Sequence, residues 1–256
     1  MGEETGIAWT DHSYNPWIGC TEIPGKDGRP SACDHCYARE LALRRGWVRA
    51  WGKDTPRHIT QTFREPLKWH RRALTTGIRE RVFCLSLGDV LEEHPALPPL
   101  RALLWDLIRA TPMLDWLLLT KRPHGYRTML PPDLLRLPSV WPGATVESAD
   151  WTWRLDALVA LDAAGPRWVS YEPALGPVDF TPWLPAVAWV IVGGESEQPH
   201  MRRALVPLDL TWARAVIRQC RATGTAPFVK QLGSAFAHHT DPAHFPEDLR
   251  VQEFPR

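Results

Sequence analysis

Short apolar runs alternate with stretches of helical periodicity along most of this chain, and this alternation limits its fold more than any other feature. The runs are rich in β-branched and aromatic residues, which is typical of strands buried on both faces of a parallel sheet. They are Ile7–Trp9, Val82–Leu87, Trp116–Thr120, Ala144–Val146, Trp168–Tyr171, Trp189–Val192 and Phe228–Lys230.

Amphipathic stretches that fit helices lie between most of these runs. They are residues 39–45, 66–75, 100–110, 150–163 and 208–222. Strands and helices in alternation predict parallel βαβ units with right-handed crossovers. The pattern fits six or seven units of an α/β fold, arranged either as an open sheet or as a complete or partial (β/α) barrel.

Composition narrows the class of protein. In 256 residues, 30 Lys and Arg face 29 Asp and Glu, which gives a formal net charge of +1. A balance so near zero disfavours a protein that grips nucleic acid through a broad basic face. No apolar run approaches the roughly 20 residues needed to cross a bilayer, and the first residues lack the features of a secretory signal. The sequence therefore predicts a soluble, cytoplasmic protein.

Polar residues and glycines follow most of the predicted strands. In parallel α/β folds, ligands bind at the carboxyl ends of the strands. Polar residues are common wherever a strand ends, so one such residue does not indicate a binding site. A polar residue after each of several successive strands predicts a polar central site. The set is Gly88-Asp89, Lys121-Arg122, Glu147, Glu172, Gly193-Gly194-Glu195 and Lys230-Gln231.

Three cysteines, Cys20, Cys33 and Cys36, form a C-x12-C-x2-C pattern after the first predicted strand. We call them the motif cysteines. In a cytosolic chain, cysteines at x2 spacing indicate metal or redox chemistry rather than a structural disulfide. The other two, Cys84 and Cys220, lie in a predicted strand and a predicted helix, and we expect them to be inert buried thiols.

Two kinds of metal site fit three thiols. A structural zinc site needs a fourth ligand, for which His35, His12 and His58 are candidates. An iron–sulfur cluster normally takes four thiolates, so three would leave one iron open to a substrate or cofactor. The spacing does not separate these two possibilities, and three unrelated cysteines are the remaining alternative.

Further motifs extend the pattern in order over nearly the whole chain. The first are Asn15-Pro16-Trp17-Ile18-Gly19-Cys20 and Cys33-x2-Cys36-Tyr37-Ala38. The others are Pro66–Trp69, Val82–Asp89, Leu118–Pro123, Val146-Glu147, Ser170–Pro177, Val190–Ser196 and Phe228–Gly233. Together they resemble the phage Gp37/Gp68-like family (DUF5131), a family with radical-SAM-like character.

The resemblance implies a radical S-adenosylmethionine (SAM) enzyme built as a partial (β/α)6-type TIM barrel, with a cysteine-rich loop after strand 1. We expect the barrel over residues 1–233, and a C-terminal extension packed on it over residues 234–256. In that superfamily a [4Fe-4S] cluster binds SAM through its open iron. One electron then cleaves SAM to a 5′-deoxyadenosyl radical, which abstracts hydrogen.

The resemblance also implies roles for individual residues. The motif cysteines are the expected cluster ligands, with a longer first gap than the superfamily's usual C-x3-C-x2-C. Ser86 and Asp89 stand where the superfamily has a Gly-Gly-Glu segment at the SAM amino group. The expected cofactor contacts are Tyr37, Ser86, Asp89, Glu147, Gly193 and Gly194. The expected catalytic residues are Lys121, Glu172 and Glu195, and the expected substrate contacts are Arg122, Lys230 and Gln231.

The expected substrate is a polar small molecule, nucleoside- or sugar-like, altered by radical rearrangement or sulfur insertion as in natural-product tailoring. Cations beside carboxylates favour an anionic or polyhydroxylated substrate. The expected partner is an external electron donor of flavodoxin or ferredoxin type. One alternative is a phage-type radical SAM enzyme that repairs or modifies nucleic acid, which the net charge disfavours. The other is a non-enzymatic zinc module, which the polar strand ends disfavour.

Overall fold

The structure is a computed structural model that describes residues 5–25, 31–197 and 204–255. Its contacts divide the chain into two compact units. The first unit comprises Met1–Glu22, Ala38–Pro142 and Leu161–Gly165, and the second comprises Ile23–Tyr37, Gly143–Ala160 and Pro166–Arg256.

The first unit pairs parallel strands in the order β1-β4-β5 and has a separate antiparallel pair, β2-β3. Its strands are β1 (His12–Tyr14), β2 (Trp17–Ile18), β3 (His58–Ile59), β4 (Glu80–Cys84) and β5 (Leu114–Thr120). Its helices are α1 (Tyr37–Arg44, whose first residue falls in the second unit), α2 (Glu65–Thr76), α3 (Leu97–Ala110), α4 (Tyr126–Met129) and α5 (Pro132–Leu135), with a 3-10 turn at Pro123–Gly125.

The second unit pairs its parallel strands in the order β6-β7-β8-β9. These strands are β6 (Val140–Thr145, which starts in the first unit), β7 (Trp168–Tyr171), β8 (Trp189–Gly193) and β9 (Ala226–Gln231). The helices are α6 (Trp153–Val159) and α7 (Leu210–Thr223). Four 3-10 turns lie at Ala149–Trp151, Leu184–Ala186, Pro242–His244 and Glu247–Leu249.

Within each unit, neighbouring strands of these orders pair in parallel. The predicted α/β class is therefore confirmed, and most strands lie where the apolar runs placed them. Their side chains form the core because both faces of the central strands are covered: every residue of β7 and β8 is buried. No helix in the described ranges is long and apolar enough to cross a membrane.

The prediction for the first strand was wrong. Ile7–Trp9 form a turn, closed by the Thr10 N–H donating to the Ile7 carbonyl oxygen at 3.2 Å. Trp9 is nevertheless buried, and its ring centroid lies 4.7 Å from that of Phe83. The apolar run thus predicted the burial of this segment correctly, but it did not predict the turn that the backbone forms.

Strand β1 begins at His12, a polar residue, and therefore lies further along the chain than the apolar run Ile7–Trp9 predicted. The His12 ring is 1% exposed, with its Nε2 2.7 Å from Glu80 Oε2. The same ring stacks on Trp69, with centroids 4.0 Å apart and planes inclined by 1°. These contacts give Nε2 a charged partner and the ring an aromatic one, while Nδ1 is buried without a hydrogen-bond partner among the described residues.

Strand β4 ends three residues earlier than the run Val82–Leu87 predicted. Asn15 Oδ1 accepts the Leu87 N–H at 2.7 Å, and Asn15 Nδ2 donates to Ser86 Oγ at 3.0 Å. The Asn15 side chain therefore accepts a backbone N–H that, in a longer strand, would donate to a neighbouring strand.

Candidate functional site

Five carboxylates at or shortly after strand ends are largely removed from solvent. They are Asp89, Glu92, Glu147, Glu172 and Glu195, and their side chains are 6%, 0%, 0%, 13% and 2% exposed. A buried carboxylate is costly unless a cation or hydrogen-bond donors compensate for the lost water. The identity of each compensating group shows what each carboxylate does.

Asp89 in the first unit binds four donors. Its Oδ1 accepts from the Leu91 N–H at 2.9 Å and from Thr120 Oγ1 at 2.6 Å. Its Oδ2 accepts from the Lys121 N–H at 3.0 Å and from Arg122 Nη1 at 2.9 Å. Burial alone would raise the pKa of Asp89, but Arg122 and these hydrogen bonds outweigh it, so the pKa lies below its usual value.

Arg122, an expected substrate contact, connects Asp89 to the segment around Cys20. Its Nη2 donates to the Thr21 carbonyl oxygen at 2.5 Å, and its Nη1 lies 3.9 Å from Cys20 Sγ. Burial would lower the pKa of Arg122, but the nearby Asp89, Cys20 and Glu92 raise it well above its usual value. The guanidinium thus stays charged and holds the chain beside Cys20.

Glu92 and Arg57 form a fully buried ion pair that the sequence did not indicate. Both side chains are 0% exposed, and Arg57 Nε lies 3.0 Å from Glu92 Oε2. Glu92 Oε1 also accepts the Thr21 N–H at 2.5 Å, and Arg57 Nη2 donates to Thr21 Oγ1 at 3.0 Å. The N–H and the hydroxyl of Thr21, next to Cys20, are therefore both held by this pair.

Glu147 in the second unit binds one donor with each oxygen. Its Oε1 accepts the Ala32 N–H at 2.7 Å, and its Oε2 lies 2.7 Å from Arg154 Nη1. Arg154 is 0% exposed, donates to the Thr145 carbonyl oxygen at 2.9 Å and lies over the Trp151 ring at 4.2 Å from its centroid. Ala32 directly precedes Cys33, so this expected cofactor contact holds the chain beside a motif cysteine.

Glu195 plays the same part for the residues between Cys33 and Cys36. His35 Nδ1 donates to Glu195 Oε1 at 2.8 Å, and the two side chains are 3% and 2% exposed. The Val206 N–H donates to Glu195 Oε2 at 2.9 Å. Glu195, expected to be catalytic, therefore lies buried against the cysteine segment.

Hydrogen bonds within the cysteine segment of the second unit fix its backbone further. Ser31 Oγ donates to the Ile23 carbonyl oxygen at 2.6 Å and accepts the Cys33 N–H at 3.1 Å. The Ile23 N–H lies 3.3 Å from Cys33 Sγ. Ser31 is 0% exposed, so these bonds form away from water and hold Cys33 at a defined position.

Glu172 is the least buried of the five carboxylates, and its partner is Lys230. Glu172 Oε1 lies 3.0 Å from Lys230 Nζ, and the lysine side chain is 27% exposed. Ser170 Oγ lies 3.5 Å from the other carboxylate oxygen. This pair brings an expected catalytic residue and an expected substrate contact together where solvent still reaches them.

The glycines predicted as cofactor contacts are explained by close packing. A Cβ on Gly193 would lie 2.2 Å from Glu172 Oε1, and a Cβ on Gly194 would lie 2.3 Å from the Leu232 carbonyl oxygen. Gln231 Nε2 donates to the Gly194 carbonyl oxygen at 3.2 Å and to Ser196 Oγ at 2.9 Å. Both glycines and Gln231 thus shape the loop that presents Glu172 and Glu195.

The remaining expected contacts lie at three different places. Ser86 Oγ is 3.2 Å from Ser13 Oγ, in addition to its bond from Asn15. Lys121 is half-buried and gives its backbone N–H to Asp89. Tyr37, which opens α1, is 42% exposed.

All five cysteines are thiols, and they fall into two groups. Cys20 and Cys36 are half-buried and Cys33 is buried within its segment. Cys84 and Cys220 are 0% exposed; burial raises the pKa of Cys84 far above its usual value and that of Cys220 to about 12. Such protonated core thiols are poor metal ligands.

Three thiolates are the donor chemistry that an iron–sulfur cluster with an open iron requires. Across the described residues, no three His, Cys, Asp or Glu side chains are already grouped closely enough to hold a metal ion. Of the histidines considered as a fourth zinc ligand, His35 and His12 are hydrogen-bonded to Glu195 and Glu80, and His58 is exposed.

A family model described as "Protein of unknown function (DUF5131)" matches residues 4–249. This range includes all the motif cysteines and all five carboxylates. Neither the curated proteins nor the solved structures contain a match to the chain.

We predict that Asp89→Asn lowers the free energy of unfolding by about 3 kcal/mol at pH 7, because it leaves Arg122 buried without its counter-charge. Asp89 has a depressed pKa in the folded state. Its contribution is therefore full above the unfolded value of about 3.9 and is lost as the pH falls through the lower folded value. Urea unfolding at pH 7 and pH 3 should show the difference between wild type and variant shrinking at the lower pH.

Asp106→Asn is the matched control, since Asp106 pairs with Arg109 at 3.0 Å but its side chain is 74% exposed. Its effect at pH 7 should stay within about 0.5 kcal/mol. An Asp89→Asn protein as stable as wild type at pH 7 would refute the structural role of the Asp89–Arg122 pair.

Proposed function

We propose that this chain, which belongs to the DUF5131 family of proteins of unknown function, is a radical SAM enzyme acting on a polar, nucleoside- or sugar-like small molecule. The βα order is consistent with a partial (β/α) barrel, which we include in the proposal. The observation that carries the proposal is the contrast between the two groups of cysteines. The motif cysteines lie on segments fastened by buried ion pairs, whereas Cys84 and Cys220 lie inert in the core.

Cys20, Cys33 and Cys36 would hold a [4Fe-4S] cluster, and SAM would bind its open iron. When bound, the cluster would supply the electron that generates the radical from SAM. The contributions of this chain are to hold the ligands, to bind the substrate and to exclude water. The burial of Asp89, Glu92, Glu147 and Glu195 supports the first of these.

Glu172 and Lys230 are the residues that we assign to the substrate. Their side chains are 27% exposed for Lys230 and 13% for Glu172, although Glu172 Oε1 itself is buried. The Lys230 ammonium would bind an anionic group or donate a hydrogen bond to a substrate oxygen, and Glu172 would accept a hydrogen bond from a substrate hydroxyl. Lys121 and Ser86 remain candidate contacts in the first unit.

The expected electron donor would dock on the segment from residue 44 to residue 53. This segment contains four cations and no acidic residue: Arg44, Arg45, Arg49 and Lys53. All four are exposed, and none has a carboxylate partner within the described part of the chain. Trp47, on the same segment, is 37% exposed. Cations around an exposed aromatic ring suit an acidic reductant such as a flavodoxin.

We predict that anaerobic reconstitution with iron and sulfide gives a brown protein with about four irons and four sulfides per chain. Replacing any one motif cysteine by Ala should abolish most of the iron loading, because each removes a thiolate ligand. Cys220→Ala is the control and should load iron as wild type does. A colourless wild type holding stoichiometric zinc would exclude the radical SAM proposal, and iron loss in Cys220→Ala would refute the ligand assignment.

We also predict that Arg44→Glu/Arg49→Glu slows reduction of the reconstituted protein by photoreduced flavodoxin about tenfold at low ionic strength, because steering by opposite charge is lost. Bleaching of the cluster absorbance measures the rate. Arg136→Glu/Arg218→Glu changes the net charge equally at other exposed cations and should leave the rate near that of wild type.

Equal slowing in both double variants would show that net charge, and not this segment, controls the encounter. Loss of oligonucleotide binding in Arg44→Glu/Arg49→Glu, with an unchanged flavodoxin rate, would assign the segment to nucleic acid instead.

A further inference from the structure

We propose that Glu92, Glu147 and Glu195, which we call the anchor carboxylates, are positioning residues: Glu92 fixes the backbone beside Cys20 within the first unit, and Glu147 and Glu195 fix the Cys33–Cys36 turn within the second. The inference rests on the proposed function. It differs from the roles that family resemblance implied, under which Glu147 contacted the cofactor and Glu195 was catalytic.

In the first unit, the anchor is Glu92. It accepts the Thr21 N–H at 2.5 Å, while Arg57, bound to the same carboxylate, donates to the Thr21 hydroxyl oxygen at 3.0 Å. Arg122 completes the set by donating to the Thr21 carbonyl oxygen at 2.5 Å. One peptide unit away, Gly19 donates its N–H to the Leu87 carbonyl oxygen at 3.0 Å. Cys20 is therefore fixed on both sides.

In the second unit, two anchors flank Cys33. Glu147 takes the N–H of Ala32, one residue before it, at 2.7 Å. Glu195 takes the ring N–H of His35, two residues after it and one before Cys36, at 2.8 Å. The two contacts restrain the whole Cys33–Cys36 turn.

The anchor carboxylates act on the segments and not on a substrate, because both oxygens of each already bind donors. Their side chains are at most 2% exposed, so no oxygen remains open to a ligand. Charge-assisted hydrogen bonds are roughly twice as strong as neutral ones. Three buried carboxylates therefore restrain the loops more firmly than neutral side chains would.

The His35–Glu195 contact offers the sharpest test, because the chain contains a matched pair elsewhere. His12 and Glu80, at the starts of β1 and β4, form the same imidazole–carboxylate contact at 2.7 Å. The His12 side chain is 1% exposed. His35→Leu removes the donor, whereas His35→Asn keeps an amide nitrogen near the position of Nδ1. His12→Leu removes the donor of the matched pair.

The experiment measures iodoacetamide alkylation of each cysteine in the full-length metal-free protein by peptide mass spectrometry, and iron retention after reconstitution. His35→Leu should raise the alkylation rates of Cys33 and Cys36 about tenfold, because one buried charge-assisted hydrogen bond is lost. The same variant should retain less iron after reconstitution. The rates at Cys84 and Cys220, which report global unfolding, should not change. His35→Asn should restore both readouts, and His12→Leu should leave Cys33 and Cys36 at the wild-type rate.

Alkylation of Cys33 and Cys36 within twofold of wild type in His35→Leu would overturn the positioning role, as would an equal rise in His12→Leu. Failure of the proposed function gives a different result. In that case wild-type protein retains no iron, while the alkylation pattern of the variants still reports on positioning.

Discussion

Burial of carboxylates in a nearly neutral chain is the constraint on which the loops of this protein depend. Each buried acid requires a cation or several N–H groups close by, because an uncompensated charge in the interior costs several kcal/mol. The chain meets this requirement with Arg57, Arg122, Arg154 and His35, and with backbone N–H groups of the cysteine segments. The contacts that compensate the buried carboxylates are therefore the same contacts that fix the cysteine segments.

This arrangement changes the meaning of the polar strand ends. A set of charged residues after successive strands predicts a site that binds ligands, but most of these charges bind each other and the loops. Asp89 and Arg122 illustrate the change, since a carboxylate expected to meet an ammonium group and a guanidinium expected to meet a substrate form a pair at 2.9 Å. Glu172 and Lys230 form the most exposed of these pairs.

The sequence predicted those features that depend on neighbouring residues. Strands such as Trp168–Tyr171 were identified because a buried parallel strand is apolar throughout, and the burial of Cys84 and Cys220 followed from their place in such elements. Features that depend on distant partners were not predictable. His12 begins a strand with its ring Nε2 paired to Glu80, 68 residues away, and Glu92 is buried because Arg57, 35 residues away, pairs with it. Neither contact leaves a local pattern in the sequence.

We propose that the motif cysteines hold iron while the anchor carboxylates keep their segments in place. Diffraction from anaerobically reconstituted crystals, with data collected on both sides of the iron absorption edge, tests it most directly. We expect an anomalous iron peak at the Sγ atoms of Cys20, Cys33 and Cys36, with Glu92 still bound to Thr21, Glu147 to Ala32 and Glu195 to His35. Iron bound elsewhere, a peak at the zinc edge only, or metal bound with these three contacts broken would contradict it.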